Sequence, residues 1–478
     1  MTQLDATTHQ RTPRPVTVLQ IGSGNFLRAF VDWMLQRSNE AGITNHGVAV
    51  VYATNRPGRK DPLADQDGLF HVVLEGVRDG RPQRRVELVD VVQTVVDPWT
   101  DNDAYNRITT SKDLKLVVSN TTEAGIVWRD EDLAARPPSS YPAQLAQLLH
   151  DRWLAFDGSE EAGLSILACE LIEDNGQRLH ELVRRHAESA GWGAEFLDWL
   201  DRANHFYDTL VDRIVSGFQP ELVDQVAQET GFQDRALVRG ELFSLWVVGG
   251  DDRIRELLPL DQLDLGVRFV PLADVTPFRS KKVRVLNACH TAMAQLGLQL
   301  GMETVDQAYG DLQLRAFIDA MVDEEVLPTI DGDRAELESF AAAILGRFDN
   351  ASLHHKLADI SLNSVAKWKA RNLPILLDRW HAGQPAQRSV LSLAALLVLS
   401  SGQSAATGFV PRDEPGVVEA ITESYDADDL PGWVSRCLAV MGLDELPEAD
   451  RLAAETIEAA RVLLEQGPRA ALTAAHLG

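Results

Sequence analysis

The stretch that most constrains the fold lies near the N-terminus: Val16-Thr17-Val18-Leu19-Gln20-Ile21, then Gly22-Ser23-Gly24-Asn25, then a helical run over 26–35. A short apolar run bounded by turn residues reads as a buried parallel strand, and the segment after it carries apolar residues at helical spacing. Two glycines between a strand and a helix let the backbone approach a pyrophosphate, whose charge then sits at the positive end of the helix. The third glycine of the usual fingerprint is absent, with Leu27 in its place. On this reading Gly22, Gly24, Asn25 and Phe26 contact a dinucleotide.

The second strand, Val48-Ala49-Val50-Val51-Tyr52-Ala53, should end on a carboxylate if it grips the adenosine ribose of NAD. It runs instead into Thr54-Asn55-Arg56-Pro57, with no acid before Asp61. Asn55 suits a ribose hydroxyl and Arg56 a 2′-phosphate, so NAD and NADP both stay open.

Further strand-like runs fall at 114–119, 164–169 and 242–248, separated by periodic helical segments at 141–156, 176–189 and 196–215. This alternation predicts an α/β fold, an N-terminal Rossmann-like doubly wound parallel sheet. Asn120, Thr121 and Thr122 follow one of these strands, where a loop can touch the cofactor or simply cap the next helix. Beyond Pro277 strand-like runs become rare, and alanine- and leucine-rich periodic stretches imply a mostly α-helical C-terminal domain. A chain of 478 residues exceeds one ordinary core, so the expected domains are 1–275, binding the dinucleotide, and 276–478, binding substrate. The junction at 271–277 would set the second domain's first helix beside the cleft where such enzymes hold substrate. The acidic stretch 413–429 and the tail beyond Gly467 read as solvated surface.

Forty-five basic against seventy-one acidic side chains leave a net charge of −26, which argues against nucleic-acid and anionic-membrane partners and leaves a small molecule. Three scattered cysteines and a polar N-terminus without a signal core fit a soluble cytoplasmic protein. The oligomeric state is not legible.

The chemistry concentrates in Lys281-Lys282-Val283-Arg284-Val285-Leu286-Asn287-Ala288-Cys289-His290. On an α-helix Asn287 turns about 140° and His290 about 80° from Lys282, within one broad face. A lysine among apolar neighbours and other cations (Lys281, Arg284, Arg279) has its charged form disfavoured and can take a proton from a hydroxyl. Asn287 offers an amide N–H to the reacting oxygen, and His290 can hold a neighbouring substrate group. Read blandly, the same stretch is a basic helix start followed by a satisfied histidine. No H-E-x-x-H occurs, and His354 and His355, if helical, point to different sides, so no metal is expected. No tyrosine is followed four residues later by lysine, which leaves Lys282 as the base.

These residues carry a resemblance. Lys282, Asn287 and His290 match the K-x-x-x-x-N-x-x-H signature of the polyol-specific long-chain (mannitol dehydrogenase) family, and Gly22 to Arg28 match its G-x-G-x-F-x-R turn. Val211-Asp212-Arg213-Ile214 resembles its V-D-R-I block, Arg347-Phe348-Asp349-Asn350 its R-F-x-N block, and Asn363, Lys367, Arg371 and Pro374 its late N-x-x-x-K-x-x-x-R-x-x-P helix. The resemblance implies a metal-independent, NAD-dependent oxidoreductase with Lys282 as acid/base, Asn287 as oxyanion donor, and Lys367 beside His290 at the substrate. Within the family the likeness is greatest to the branch acting on sugar acids. Where polyol-oxidising members carry an asparagine, a pocket aspartate and a substrate-binding arginine, this chain has Asp208, Gly250 and Asp359. An acid substrate needs a cation or several N–H donors; Lys367, His290, His354 and His355 are the candidates. The reading outside this class is a nucleotide-binding protein without catalysis.

Overall fold

The strand Val16–Ile21 forms as its apolar pattern predicts, and its register organises the sheet around it: Val18 pairs with Val48 on one side and with Leu116 on the other. The computed structural model describes residues 2–78, 81–121, 125–217, 220–349, 355–404, 409–413 and 416–477. The chain divides into two compact units, Met1–Phe278 and Arg279–Gly478.

The first unit holds an eight-stranded sheet in the order Val267–Val270, Leu245–Gly249, His205–Asp212, Ser165–Ala168, Leu116–Ser119, Val16–Ile21, Gly47–Val51, Val92–Val96. The six strands from His205–Asp212 to Val92–Val96 are parallel, and Leu245–Gly249 turns antiparallel to His205–Asp212. Because the chain leaves the Val16–Ile21 strand first to one side and later to the other, a topological switch point forms at its carboxyl end. Apolar clusters cover both faces, one around Phe30, Val50 and Trp246, the other around Leu19, Ile166 and Trp199. A smaller four-stranded sheet contains the hairpin Phe70–Arg78 and Arg81–Val89, which the sequence reading did not separate from loop.

Two elements differ from expectation. The segment 196–215 was expected to be one helix, but the helix is Gly193–Ala203 and the chain then enters the strand His205–Asp212. Apolar residues of the helix and of a strand buried on both faces run together there, so their two periods cannot be told apart by counting. Of the strand-like run 242–248 only the latter part is strand, Leu245–Gly249 in the large sheet, while a separate strand, Val238–Glu241, ends just before the run and belongs to the small one.

The second unit is helical. Its centre is the helix Ala288–Gln299, buried at every position, against Gln387–Ser400, buried from Arg388 onward. A helix hydrophobic all round must be an interior one. The long segment Ala449–Leu477 bends at Gly467 and Pro468, and beyond the bend Ala471, Leu472 and Ala475 are buried. The tail is therefore part of the core and not solvated surface, and so is Ile421 of Val417–Glu423, inside the acidic stretch.

The helix after the glycine turn runs from Asn25 to Glu40 with a π turn, Arg28–Asp32, inserted in it. Asp32 is fully buried there, and neither carboxyl oxygen has a hydrogen bond of ordinary geometry. Burial pushes its pKa up from 3.8 to about 7, against the pull of the Gln20 and Arg28 side chains. An acid raised in the folded state favours folding fully below its unfolded value and loses that contribution as pH climbs through 7. Asp32→Asn should remove this dependence. The fall in melting temperature between about pH 5.5 and about pH 8.5, followed by circular dichroism, is expected to be smaller in the variant by at least about 3 °C.

Candidate functional site

In the first unit, Gly22 follows the central strand with φ +107° and donates its N–H to the Val51 carbonyl at 2.7 Å. That left-handed conformation explains this glycine on backbone grounds alone. Gly24 is different. Its φ of −64° is open to any residue, it is exposed, and a Cβ built on it meets nothing within 4 Å. No atom of the chain requires a glycine there. It precedes a helix start at which no side chain caps the N–H groups of the first turn. Unfilled N–H donors, the positive end of a helix and an open approach over a glycine are what a pyrophosphate needs.

The side chains called on beside this turn are mostly engaged with the protein. Asn25 accepts from Arg28 Nη2 at 2.7 Å and donates to the Ser216 carbonyl, so its side-chain amide is spent on the protein. Phe26 stacks on Phe30 with ring centroids 5.0 Å apart. Arg28 is buried, donates to the Ala236 carbonyl and lies over the Phe70 ring; it ties the helix to the small sheet. Asn55 is exposed after the second strand, where Arg59 folds over Tyr52. Asn120 donates to the Cys169 carbonyl at 2.6 Å. Thr121 donates through N (2.8 Å) and Oγ1 (3.0 Å) to Glu170, which also accepts from Ser119 Oγ. Thr122 lies outside the described residues.

Glu170 is the residue the sequence reading missed. Buried at the carboxyl edge of the sheet, it fastens the loop after Leu116–Ser119 to the end of the next strand, and burial raises its carboxyl above the usual range. Only the pairing of two strands distant in sequence reveals that role. Arg213 is likewise a structural anchor, donating to the Ala29 carbonyl (2.5 Å) and the Phe243 carbonyl and covering the Trp33 ring. Asp208, expected in the pocket, instead accepts from the N–H groups of Gly176 (2.8 Å) and Gln177 (3.0 Å), capping the helix Asn175–Ser189. Gly250 cannot be an aspartate without a rearrangement, because a Cβ there would lie 2.4 Å from the Tyr207 ring.

In the second unit, Lys282 ends the helix Val275–Lys282, and the next five residues, Val283–Asn287, form a π turn closed by the Ala288 N–H on the Val283 carbonyl. The sequence reading assumed an uninterrupted α-helix. A turn that closes through an i→i+5 bond brings residues five apart closer to one line along the axis, so Lys282 and Asn287 converge more than α-helical spacing allows. Lys282 and His290 are buried and Asn287 is half-exposed. The Asn287 side-chain amide makes no hydrogen bond among the described residues, whereas the Asn287 backbone carbonyl accepts from Thr291 Oγ1 at 2.9 Å. Arg284, counted in sequence among the cations crowding Lys282, is turned to Asp378 (2.5 Å) and the Thr329 carbonyl.

The His290 ring lies 4.6 Å from that of Phe348 and 5.2 Å from that of His355, which stands nearly perpendicular to it. Its Nε2 is buried without a hydrogen bond. Burial, then His355, Arg347, Arg371 and Lys282, hold the imidazole well below the ordinary histidine value, so it is neutral at pH 7. His355 precedes the short helix Leu357–Ile360 and is not helical itself; burial lowers its pKa, Asp359 opposes that, and Arg347 and Lys367 add to it. Lys367 donates one Nζ proton to the Ile360 carbonyl at 2.8 Å. His354 lies outside the described residues. Lysine, free amide and neutral imidazole thus stand together on one helical stretch in a positive field. That combination can move a proton to or from a hydroxyl and attract an anion.

Residues 16–262 match the family model "Mannitol dehydrogenase Rossmann domain", and residues 274–460 match "Mannitol dehydrogenase C-terminal domain". Altronate oxidoreductase of Bacillus subtilis (strain 168) is 36% identical over 87% of this chain and 85% of its own length. The protein of the same name from Yersinia pestis is 36% identical over 96% of this chain and 97% of its own. A substrate-free D-sorbitol dehydrogenase crystal structure superposes with a TM-score of 0.82 at 20% identity, covering 99% of this chain and 100% of that one. The Pseudomonas fluorescens mannitol 2-dehydrogenase ternary complex with NAD and D-mannitol superposes with a TM-score of 0.76 at 21% identity, covering 100% and 99%.

The open approach over Gly24 sets an expectation. Gly24→Val should melt within about 2 °C of the parent, a surface-substitution effect, yet lose dinucleotide affinity by more than about tenfold in a fluorescence titration. Equal affinity in the two proteins would place the ligand elsewhere.

Proposed function

We infer the reaction from this premise: the chain belongs to the mannitol dehydrogenase family, matched by both of its domain models. We propose that it is an NAD-dependent oxidoreductase that interconverts D-altronate and D-tagaturonate in hexuronate breakdown. The observation that carries the substrate is the identity of 36% over 96% of this chain with a relative named altronate oxidoreductase.

The residues fit the cofactor: Gly24 leaves an open approach, the first turn of the Asn25 helix offers uncapped N–H groups, and Gly22 makes the tight turn. When bound, the nicotinamide supplies the hydride acceptor or donor. The chain's own residues do the rest. In oxidation, Lys282 takes the proton of the reacting secondary hydroxyl, and the Asn287 amide donates to the oxygen as its charge develops. In reduction, Lys282 returns that proton. Neutral His290 orients the substrate beside them without competing for the base role. No group of three or more histidine, cysteine, aspartate or glutamate side chains among the described residues could hold a metal ion. No helix of the described residues is long and apolar enough to cross a membrane.

The test is absorbance at the nicotinamide band with D-altronate, D-mannonate and D-mannitol, each with NAD and with NADP. Reduction of NAD by D-altronate is expected; turnover with mannonate or mannitol alone would keep the lysine chemistry and discard the substrate. Lys282→Ala is expected to lower kcat by about 10³-fold, within the range for general acid–base groups, while still binding NADH. Full activity in that variant would remove lysine from the mechanism.

A further inference from the structure

An arginine withdrawn from water is costly unless an anion or several acceptors compensate it. Arg371, at the end of the helix Ser364–Arg371, is half-buried, and among the described residues it makes one hydrogen bond, from Nη1 to Thr291 Oγ1 at 3.2 Å. No described carboxylate forms an ion pair with it, and burial alone depresses its pKa. Two other arginines of this unit do have acids: Arg284 has Asp378, and Arg388 has Glu324.

Its position matters. Thr291, which receives Arg371, itself donates to the Asn287 carbonyl, so the guanidinium is seated beside the stretch that carries Asn287 and His290. The next residue along, His290, keeps its Nε2 buried and unpartnered. The guanidinium has Nε and Nη2 donors left, and a planar fork of this kind matches a carboxylate through two parallel hydrogen bonds. Lys367, the cation favoured by sequence, already spends one donor on the Ile360 carbonyl.

We propose that Arg371, with Nε2 of His290, is the subsite that binds the carboxylate of an aldonate substrate. This rests on the reaction proposed above. An aldonate supplies the guanidinium with the counter-charge that it lacks among the described residues.

The test measures binding of D-altronate to the NADH-loaded enzyme by calorimetry, which needs no turnover. Arg371→Gln is expected to weaken binding about 50-fold, as for a lost charged hydrogen-bond pair, with D-mannitol binding no weaker than in the parent. Binding of D-altronate within about threefold of the parent would overturn the proposal. Should the glutamine variant fail to fold, Arg371→Lys decides, because it keeps the charge and loses the fork. A weakening of about tenfold is then expected, and parental affinity would overturn it. A parent that binds D-altronate without oxidising it would sink the proposed reaction while the variant comparison still judges Arg371. A parent that binds no aldonate would sink both.

Discussion

Parallel strands cannot be joined by tight turns, and this requirement shapes the first unit. Each crossover needs a dozen or more residues and usually a helix, so the connections cover both faces of the sheet and bury its strands. All six parallel strands then end at the same edge. The switch in winding direction beside Val16–Ile21 opens that edge where Gly22 turns the chain into its helix. The glycine turn, Asn120, Thr121 and Glu170 share that edge because the sheet leaves them nowhere else to be.

A second constraint governs the helical unit. The Ala288–Gln299 helix is buried all round, so any polar group near its start must find a partner or face a ligand. Most find partners: Gln295 meets Ser364, Gln299 meets the Ala395 carbonyl, and Thr291 meets Asn287 and Arg371. Among the described residues, the groups left without a partner here include the Asn287 amide, His290 Nε2 and the remaining donors of Arg371. The π turn Val283–Asn287 adds one residue to a helical turn at this point, which is where such turns commonly mark function.

Satisfaction of hydrogen bonds also separates side chains that looked equivalent in sequence. Asn25, Asn120, Thr121, Asp208 and Arg28 were all singled out in sequence, yet their side chains are spent on the protein's own carbonyls, carboxylates and N–H groups. They build the crevice without being its surface. Gly24 is the opposite case: it contributes only the absence of a side chain.

What the sequence determined by itself is whatever depends on local order. The strand–glycine–helix unit, the change from alternating to helical pattern near residue 277 and the spacing of Lys282, Asn287 and His290 are all written in consecutive residues, where period and turn chemistry act directly. Only the tertiary structure decided which charges meet. Arg284 goes to Asp378, ninety-four residues away, and Arg371 goes to Thr291, eighty residues away, with no ion pair to an acid among the described residues. The extra residue of the π turn and the strand hidden inside 196–215 were likewise settled by packing. Burial and pairing arise between segments remote in the chain, and spacing along one segment carries no information about what another will place against it.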